Sequence, residues 1–298
     1  MCELCNFACF FKSEFKIMIQ VFEHIKDLQS YLQAKRDSGL TVGLVPTMGA
    51  LHEGHLSLMR RAKKENDVAV ASVFVNPVQF NNPVDLEKYP RTPEKDVALL
   101  ESAGCDAVFM PSVQEMYPTE VTDHYDFGAI EHVMEGACRP GHFNGVAIVV
   151  RKLFDIVKPN RAYFGEKDFQ QLAIISKLVR DYDIKLEVVP CDIVREKDGL
   201  AMSSRNMRLN ADERAIAPMI YKVLSETIAE YKSVSPAEMK AIALKKYSDI
   251  KQFEVEYVEI ADEITLQPVV DWKDSEHARI FVALQLGPVR LIDNMRIY

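Results

Sequence analysis

The chain has little positive charge to spare: 36 Lys and Arg stand against 44 Asp and Glu over 298 residues, a formal net charge of −8. Domains that grip a nucleic-acid backbone show a basic face, so nucleic acid is excluded as a partner, although local cations can still meet a small anion. A disulfide framework is lacking too. Six cysteines, Cys2, Cys5, Cys9, Cys105, Cys138 and Cys191, do not staple a chain of this length, and a reducing compartment, the cytoplasm, is expected. Cys2, Cys5 and Cys9 have no second group of Cys or His at ligand spacing, so no metal is assigned to them. Residues 1–16 carry only a short apolar patch with interior charges, which fits neither a secretion signal nor a membrane span. There is no internal repeat, low-complexity tract or long linker, and no Ser–His–Asp or Cys–His set stands out for nucleophilic catalysis.

What is present is globular: 48% hydrophobic and 27% charged residues give core enough for two domains. The chain is organised around residues 43–60. An apolar run at 41–45 stops at Pro46, turns through Gly49 and restarts as a helical pattern whose first turn carries His52, Gly54 and His55. In parallel α/β sheets the end of a strand faces the start of the next helix, where unpaired N–H groups and the helix dipole favour an anion. Two imidazoles there can donate to the phosphates of a nucleotide while adding little fixed charge. The alternative is that the glycines serve tight turns and the histidines are polar helix-start residues. A zinc-protease helix is not available, because its second histidine is the fourth residue after the first and His55 is the third after His52.

Taken in order, residues 21–38 read as an amphipathic helix with Val21, Phe22, Ile25, Leu28, Tyr31 and Leu32 on one face. Residues 68–75 form a run suited to a strand buried on both faces, ending at Asn76 and Gln79, which a parallel βαβ unit aims into the same crevice as the first strand. Thr92 and Pro93 open a helix over 93–103, and 106–110 is a third strand. Residues 113–136 are unassigned; 135–145 read as a breaker-rich loop, either a lid or a surface crossover, before a helix over 146–156. A strand at 162–164 runs into Gly165, Glu166, Lys167 and Asp168 before a helix over 169–182, and 184–189 closes the sheet. From residue 193 the character changes to a polar loop, helices over 211–231 and beyond Pro236, and strands near 253–260 and 279–286. The alternation predicts an α/β fold, with a Rossmann-like parallel-sheet domain over 18–192 and a smaller α+β C-terminal domain over 193–298. Residues 1–17 are expected to be a dispensable extension.

Several stretches resemble one family. Pro46-Thr-Met-Gly-Ala-Leu-His-Glu-Gly-His55, Phe74-Val-Asn-Pro-Val-Gln-Phe80, Tyr89-Pro-Arg-Thr92, Arg139-Pro-Gly-His-Phe143, Phe164-Gly-Glu-Lys-Asp-Phe-Gln-Gln171, Met202-Ser-Ser-Arg-Asn206 and Arg290-Leu-Ile-Asp-Asn294 together look like the pantothenate synthetases, or pantoate–β-alanine ligases, of the nucleotidyltransferase superfamily. The resemblance runs from about Met18 to the end. It implies ATP-dependent ligation of pantoate and β-alanine through a pantoyl adenylate, with Mg²⁺ accompanying ATP, in a cytoplasmic homodimer that acts on small molecules and touches neither membrane nor nucleic acid. Carried over by motif, ATP falls to Met48, Gly49, Ala50, Leu51, His52, Glu53, Gly54 and His55, then Gly165, Glu166, Lys167 and Asp168, then Val194, Met202, Ser203, Ser204 and Arg205. His55 takes the proton-donor role. Gln79 and Gln171 would hold pantoate, Gln79 also β-alanine, and no protein metal site is implied. One departure is Ile148, where many members carry threonine. Two other readings stay open, another nucleotidyltransferase or a non-catalytic nucleotide-binding module; the paired glutamines weigh against the first.

Overall fold

The computed structural model describes residues 18–81 and 83–298; the expected extension 1–17 lies outside the described residues. A six-stranded parallel sheet contains β1 (Gln20–Phe22), β2 (Val42–Thr47), β3 (Val68–Val73), β4 (Ala107–Phe109), β5 (Arg161–Gly165) and β6 (Glu187–Cys191), in the spatial order β1-β4-β3-β2-β5-β6. An antiparallel sheet follows, β7 (Phe253–Asp262), β8 (Ala278–Leu286) and β9 (Val289–Arg296). The first sheet is interleaved with α1 (Ile25–Asp37), α2 (Glu53–Glu65), α3 (Pro83–Glu87), α4 (Pro93–Ser102), α5 (Val113–Met116), α6 (Met134–Cys138), α7 (His142–Val157) and α8 (Phe169–Asp181). The second is preceded by α9 (Ala211–Ile216), α10 (Met219–Ile228) and α11 (Pro236–Ser248). This is the expected Rossmann-like sheet with a smaller C-terminal α+β part.

Period-two alternation sets the layers. Val42, Leu44, Val68, Val70 and Phe109 join one core with α1, α7 and α8, while Val45, Ala69, Ala71 and Val108 join another with α2 and α4. Pairing of β2 with β3 continues to Thr47↔Val73, whereas pairing of β2 with β5 stops at Leu44↔Ala162. The strands therefore part at their C-terminal ends, where the strand order reverses and open α/β sheets bind ligands.

Four elements differ from the sequence reading. Val21 and Phe22 belong to β1, which pairs with β4, because a three-residue edge strand is too short to show its own alternation. The helix expected over 211–231 breaks between α9 and α10 at Pro218, which has no N–H to continue the ladder. The stretch 135–145 is mostly helical, α6 and the first turn of α7 separated by Gly141 in the left-handed region at φ 81°. The edge strand β9, absent from the sequence reading, completes the second sheet.

Candidate active site

The turn after β2 is held by its neighbours in the first sheet. Thr47 Oγ1 donates to the Ser72 carbonyl at 2.7 Å, and the chain reverses through Gly49 at φ 85° and Ala50 at φ 49°. A Cβ on Gly49 would lie 3.0 Å from Asp96 Oδ2, so both backbone and space call for glycine. Asp96, buried in the first turn of α4, accepts from the Ala50 N–H at 3.0 Å and the Leu51 N–H at 2.8 Å, with Thr92 Oγ1 donating at 3.2 Å.

Two histidines then open α2. His52 Nδ1 accepts from the Gly54 N–H at 3.2 Å, and His55 Nδ1 accepts from the His52 N–H at 3.3 Å. An accepting Nδ1 leaves the hydrogen on Nε2. Burial, then the Lys167 cation, lowers His52 to about 4. Burial, then His52 and Lys167, lowers His55 to about 3. Both rings are neutral near pH 7 and present an Nε2–H donor.

The turn after β3 is equally specified. Asn76 is buried; its Oδ1 accepts from Tyr117 Oη at 2.9 Å and the Val78 N–H at 3.3 Å, and its Nδ2 donates to the Gly145 carbonyl at 3.0 Å and Gln79 Oε1 at 3.2 Å. Asn76, a candidate ligand by sequence, thus spends its side chain on the turn, while Gln79 Nε2 faces Met48 Sδ at 3.1 Å. His142 Nδ1–H donates to the Gln79 carbonyl at 2.8 Å and its Nε2 accepts from Arg139 Nη1 at 3.2 Å. Burial, then Arg139, lowers His142 to about 4. A Cβ on Gly145 would lie 2.5 Å from the Val78 carbonyl, so α7 can approach Gln79 this closely only through glycine.

The turn after β5 is held from the other sheet. Asn294 of β9 donates from Nδ2 to the carbonyls of Glu166 at 2.9 Å and Lys167 at 3.0 Å. Arg279 of β8 donates to Asn294 Oδ1 at 2.6 Å and pairs with Glu166 at 3.0 Å and Glu263 at 2.8 Å. The polar loop also joins the site: Ser204 Oγ donates to the Ala50 carbonyl at 2.9 Å, and Arg205 and Arg208 both reach Asp85 of α3, at 3.1 and 3.2 Å.

These turns enclose a cavity of about 230 Å³ in the crevice. Met48, His52, Gly54 and His55 line it from the first turn, Gln79 from the second, and Gly165, Lys167, Asp168 and Gln171 from the third. Val194, Met202, Ser203, Ser204 and Arg205 close it, and Val146, Val149, Val150 and Leu153 of α7 form an apolar wall. Gly49, Ala50 and Leu51 do not line it; they build the turn. Glu53 pairs with Arg60 at the surface, and Glu166 faces Arg279. The cavity meets an outer cleft of about 870 Å³ at Lys167, Asp168, Ser203 and Arg205, which line both. Asp85, Asp96, Arg139, His142, Arg279 and Asn294 were given no role by sequence. Arg139, His142 and Asn294 lie in the quoted motifs, whose charged and amide groups were the available signal; the other three lie outside them.

Neutral donors, a lysine and an arginine around a pocket with one apolar wall suit a phosphorylated ligand beside a small acid with an apolar body. The family model described as pantoate-beta-alanine ligase matches residues 20–296. The pantothenate synthetase of Porphyromonas gingivalis strain W83 is 49% identical over 93% of this chain and 99% of its own length. A crystal structure of pantothenate synthetase from Thermus thermophilus is similar at a TM-score of 0.88 and 43% identity, over 94% of this chain and 100% of that one. A pantoate-beta-alanine ligase from Francisella tularensis, complexed with beta-gamma ATP and beta-alanine, has a TM-score of 0.78 and 36% identity, over 94% and 98%.

Proposed function

The chain belongs to the pantoate–β-alanine ligase family, and from that premise we propose how its cavity carries out the ligation. The enzyme joins (R)-pantoate and β-alanine at the expense of ATP, giving pantothenate, AMP and pyrophosphate through a pantoyl adenylate. In the first step a pantoate carboxylate oxygen bonds to the α-phosphorus and the bond to pyrophosphate breaks. In the second, the amine nitrogen bonds to the acyl carbon, the bond to AMP breaks, and the amine gives up a proton. Neither step needs a nucleophile from the protein; both need developing charge on phosphoryl oxygens to be met by donors already in place.

The observation that carries the residue assignments is the convergence of His52, His55, Lys167, Ser203 and Arg205 on one cavity. His52 and His55 donate hydrogen bonds from Nε2; with so low a basicity, His55 acts as a hydrogen-bond donor to the phosphoryl group rather than as a charged acid. Ser204, already bonded to Ala50, ties the nucleotide loop to the first turn. Gln79 and Gln171 hold pantoate, with Gln79 also reaching β-alanine, and Pro46 and Met48 pack against the pantoate methyl groups. Asp168 and Asp192, the carboxylates of the cavity lining, fit Mg²⁺, which takes one or two carboxylates together with substrate phosphates. That ion offsets triphosphate charge when bound. The domain division at 192/193 is supported by the separate C-terminal core, built from residues 200–297. A homodimer, a cytoplasmic setting and a dispensable segment 1–17 complete the proposal.

Purified protein incubated with ATP, Mg²⁺ and pantoate should release pyrophosphate only when pantoate is present, and AMP only when β-alanine is added. Bound ATP with neither dependence would overturn the ligase reading in favour of a binding module. Gln79→Ala should raise the KM for pantoate more than that for ATP, and an equal rise would remove Gln79 from the pantoate site.

A further inference from the structure

β-Alanine differs from a plain primary amine by its carboxylate, and Gln79 offers that carboxylate no positive charge. Of the six cations that line the outer cleft, Lys88, Arg139, Lys167, Arg205, Arg208 and Arg290, the last three are held by close carboxylates. Arg205 and Arg208 share Asp85, at 3.1 and 3.2 Å. Arg290 is held by Glu135, at 2.7 and 2.8 Å, and by Glu256 at 2.8 Å. Lys167 sits beside His52 and His55 in the inner cavity, where the triphosphate is placed.

Arg139 differs from these. Among the described residues its guanidinium makes one side-chain hydrogen bond, from Nη1 to His142 Nε2 at 3.2 Å. The one carboxylate within 4 Å is Glu135, at 3.9 Å, and that group already accepts from Arg290 and from Tyr257 Oη at 2.8 Å. A guanidinium carries five N–H donors in a planar fork, so most of the fork is left for a ligand. The side chain is 24% exposed and lines both the outer cleft and a pocket of about 30 Å³ that also reaches Lys167, Asp168 and Gln171. His142 holds the fork without neutralising it: its Nε2 is an acceptor because its Nδ1–H is committed to the Gln79 carbonyl at 2.8 Å. One imidazole therefore links the turn that presents Gln79 to the Arg139 guanidinium. Arg139 thus lines the outer cleft, which opens into the cavity that Gln79 lines.

We infer that Arg139 binds the carboxylate of the amine substrate and so makes the second step selective for an amino acid over a plain amine. The inference rests on the ligase reading above. Charge-assisted, bidentate pairing of guanidinium with carboxylate supplies both the attraction and the orientation, directing the amine inward.

The test separates the two half-reactions. Pantoate-dependent exchange of pyrophosphate into ATP uses no amine; AMP release can be titrated with β-alanine or with propylamine, which replaces the carboxylate by a methyl group. For Arg139→Ala, exchange should stay within about twofold of wild type, the KM for β-alanine should rise roughly tenfold to a hundredfold, and the rate with propylamine should not change. Arg139→Lys should recover part of the loss, and Arg139→Glu should favour 1,3-diaminopropane over β-alanine. An unchanged KM for β-alanine, an equal loss with propylamine, or a raised KM for ATP in the exchange assay would each overturn the assignment. Wild-type protein without pantoate-dependent exchange would overturn the ligase reading, and this inference with it.

Discussion

The turns after β2 and after β5 face one another across the same crevice and line the same cavity, yet they are held in different ways. The first, with its pair of capping histidines, is fixed mainly from within the parallel-sheet part, by Asp96 from α4 and by imidazole nitrogens that accept from backbone N–H groups two or three residues away, with one bond from the polar loop, Ser204 Oγ to the Ala50 carbonyl. The second, with Lys167, is fixed from the antiparallel sheet, by Asn294 and Arg279 more than a hundred residues later in the chain. A donor array assembled from both turns is therefore only as ordered as the contact between the two sheets.

The largest expected effect comes from emptying the first turn. His55→Ala removes a pre-placed donor and should cut pyrophosphate exchange by about 100-fold or more; exchange at the wild-type rate would take His55 out of the site. Asp96→Ala attacks the same turn from below. It strips two backbone N–H groups of a charged acceptor and should cost about 3 kcal/mol of folding stability in urea titration, while a cost within error would show the turn to be self-supporting. The second turn should break differently. Asn294→Ala leaves the first turn untouched and frees the Lys167 backbone, so the KM for ATP should rise about tenfold with little change in the KM for pantoate. If Asn294→Ala lowered stability as much as Asp96→Ala without moving the KM for ATP, the contrast between the two turns would be one of fold alone.

The same contrast explains what could be read from the sequence. The stretch 68–75 carries a dense apolar run, 162–164 a short one, and the helix after Thr92-Pro93 announces its own start, so the parallel sheet apart from β1 was legible from local pattern. The histidine turn was legible as well, because a strand, a glycine turn and a polar helix start lie within a single stretch. The role of Asn294 was not, since its motif shows an amide but not the strand β9 that sets it against the Glu166 and Lys167 carbonyls. Glu166 shows the converse: the motif resemblance places it with Lys167 at ATP, while its carboxylate pairs with Arg279. Gly145 carried no sequence signal for its close approach to Val78, and Asp96 read as an ordinary first-turn acid of α4.

The smallest expected effect on rate is that of pH, and it bears on whether the first turn works through neutral donors. His52, His55 and His142 ordinarily titrate near 6.5 and are lowered here to about 4, about 3 and about 4. Between pH 6.5 and about 4 the unfolded chain takes up protons at these positions while the folded chain does not, so stability should fall as pH falls through that window. Ordinary carboxylates titrate mostly below about 4.5, which leaves the upper part of the window to the histidines. The exchange rate at subsaturating substrate, which reports groups of the free enzyme and is measured on protein still folded, should therefore show no inflection from these histidines near 6.5, even as the urea midpoint drops between pH 7.5 and 5.5. A rate that followed a group titrating near 6.5 would mean that one of the paired imidazoles charges in the folded enzyme. The Nε2–H donors would then have to be replaced by an imidazolium acid, a change confined to the first turn and leaving the Asn294 support of the second as it stands.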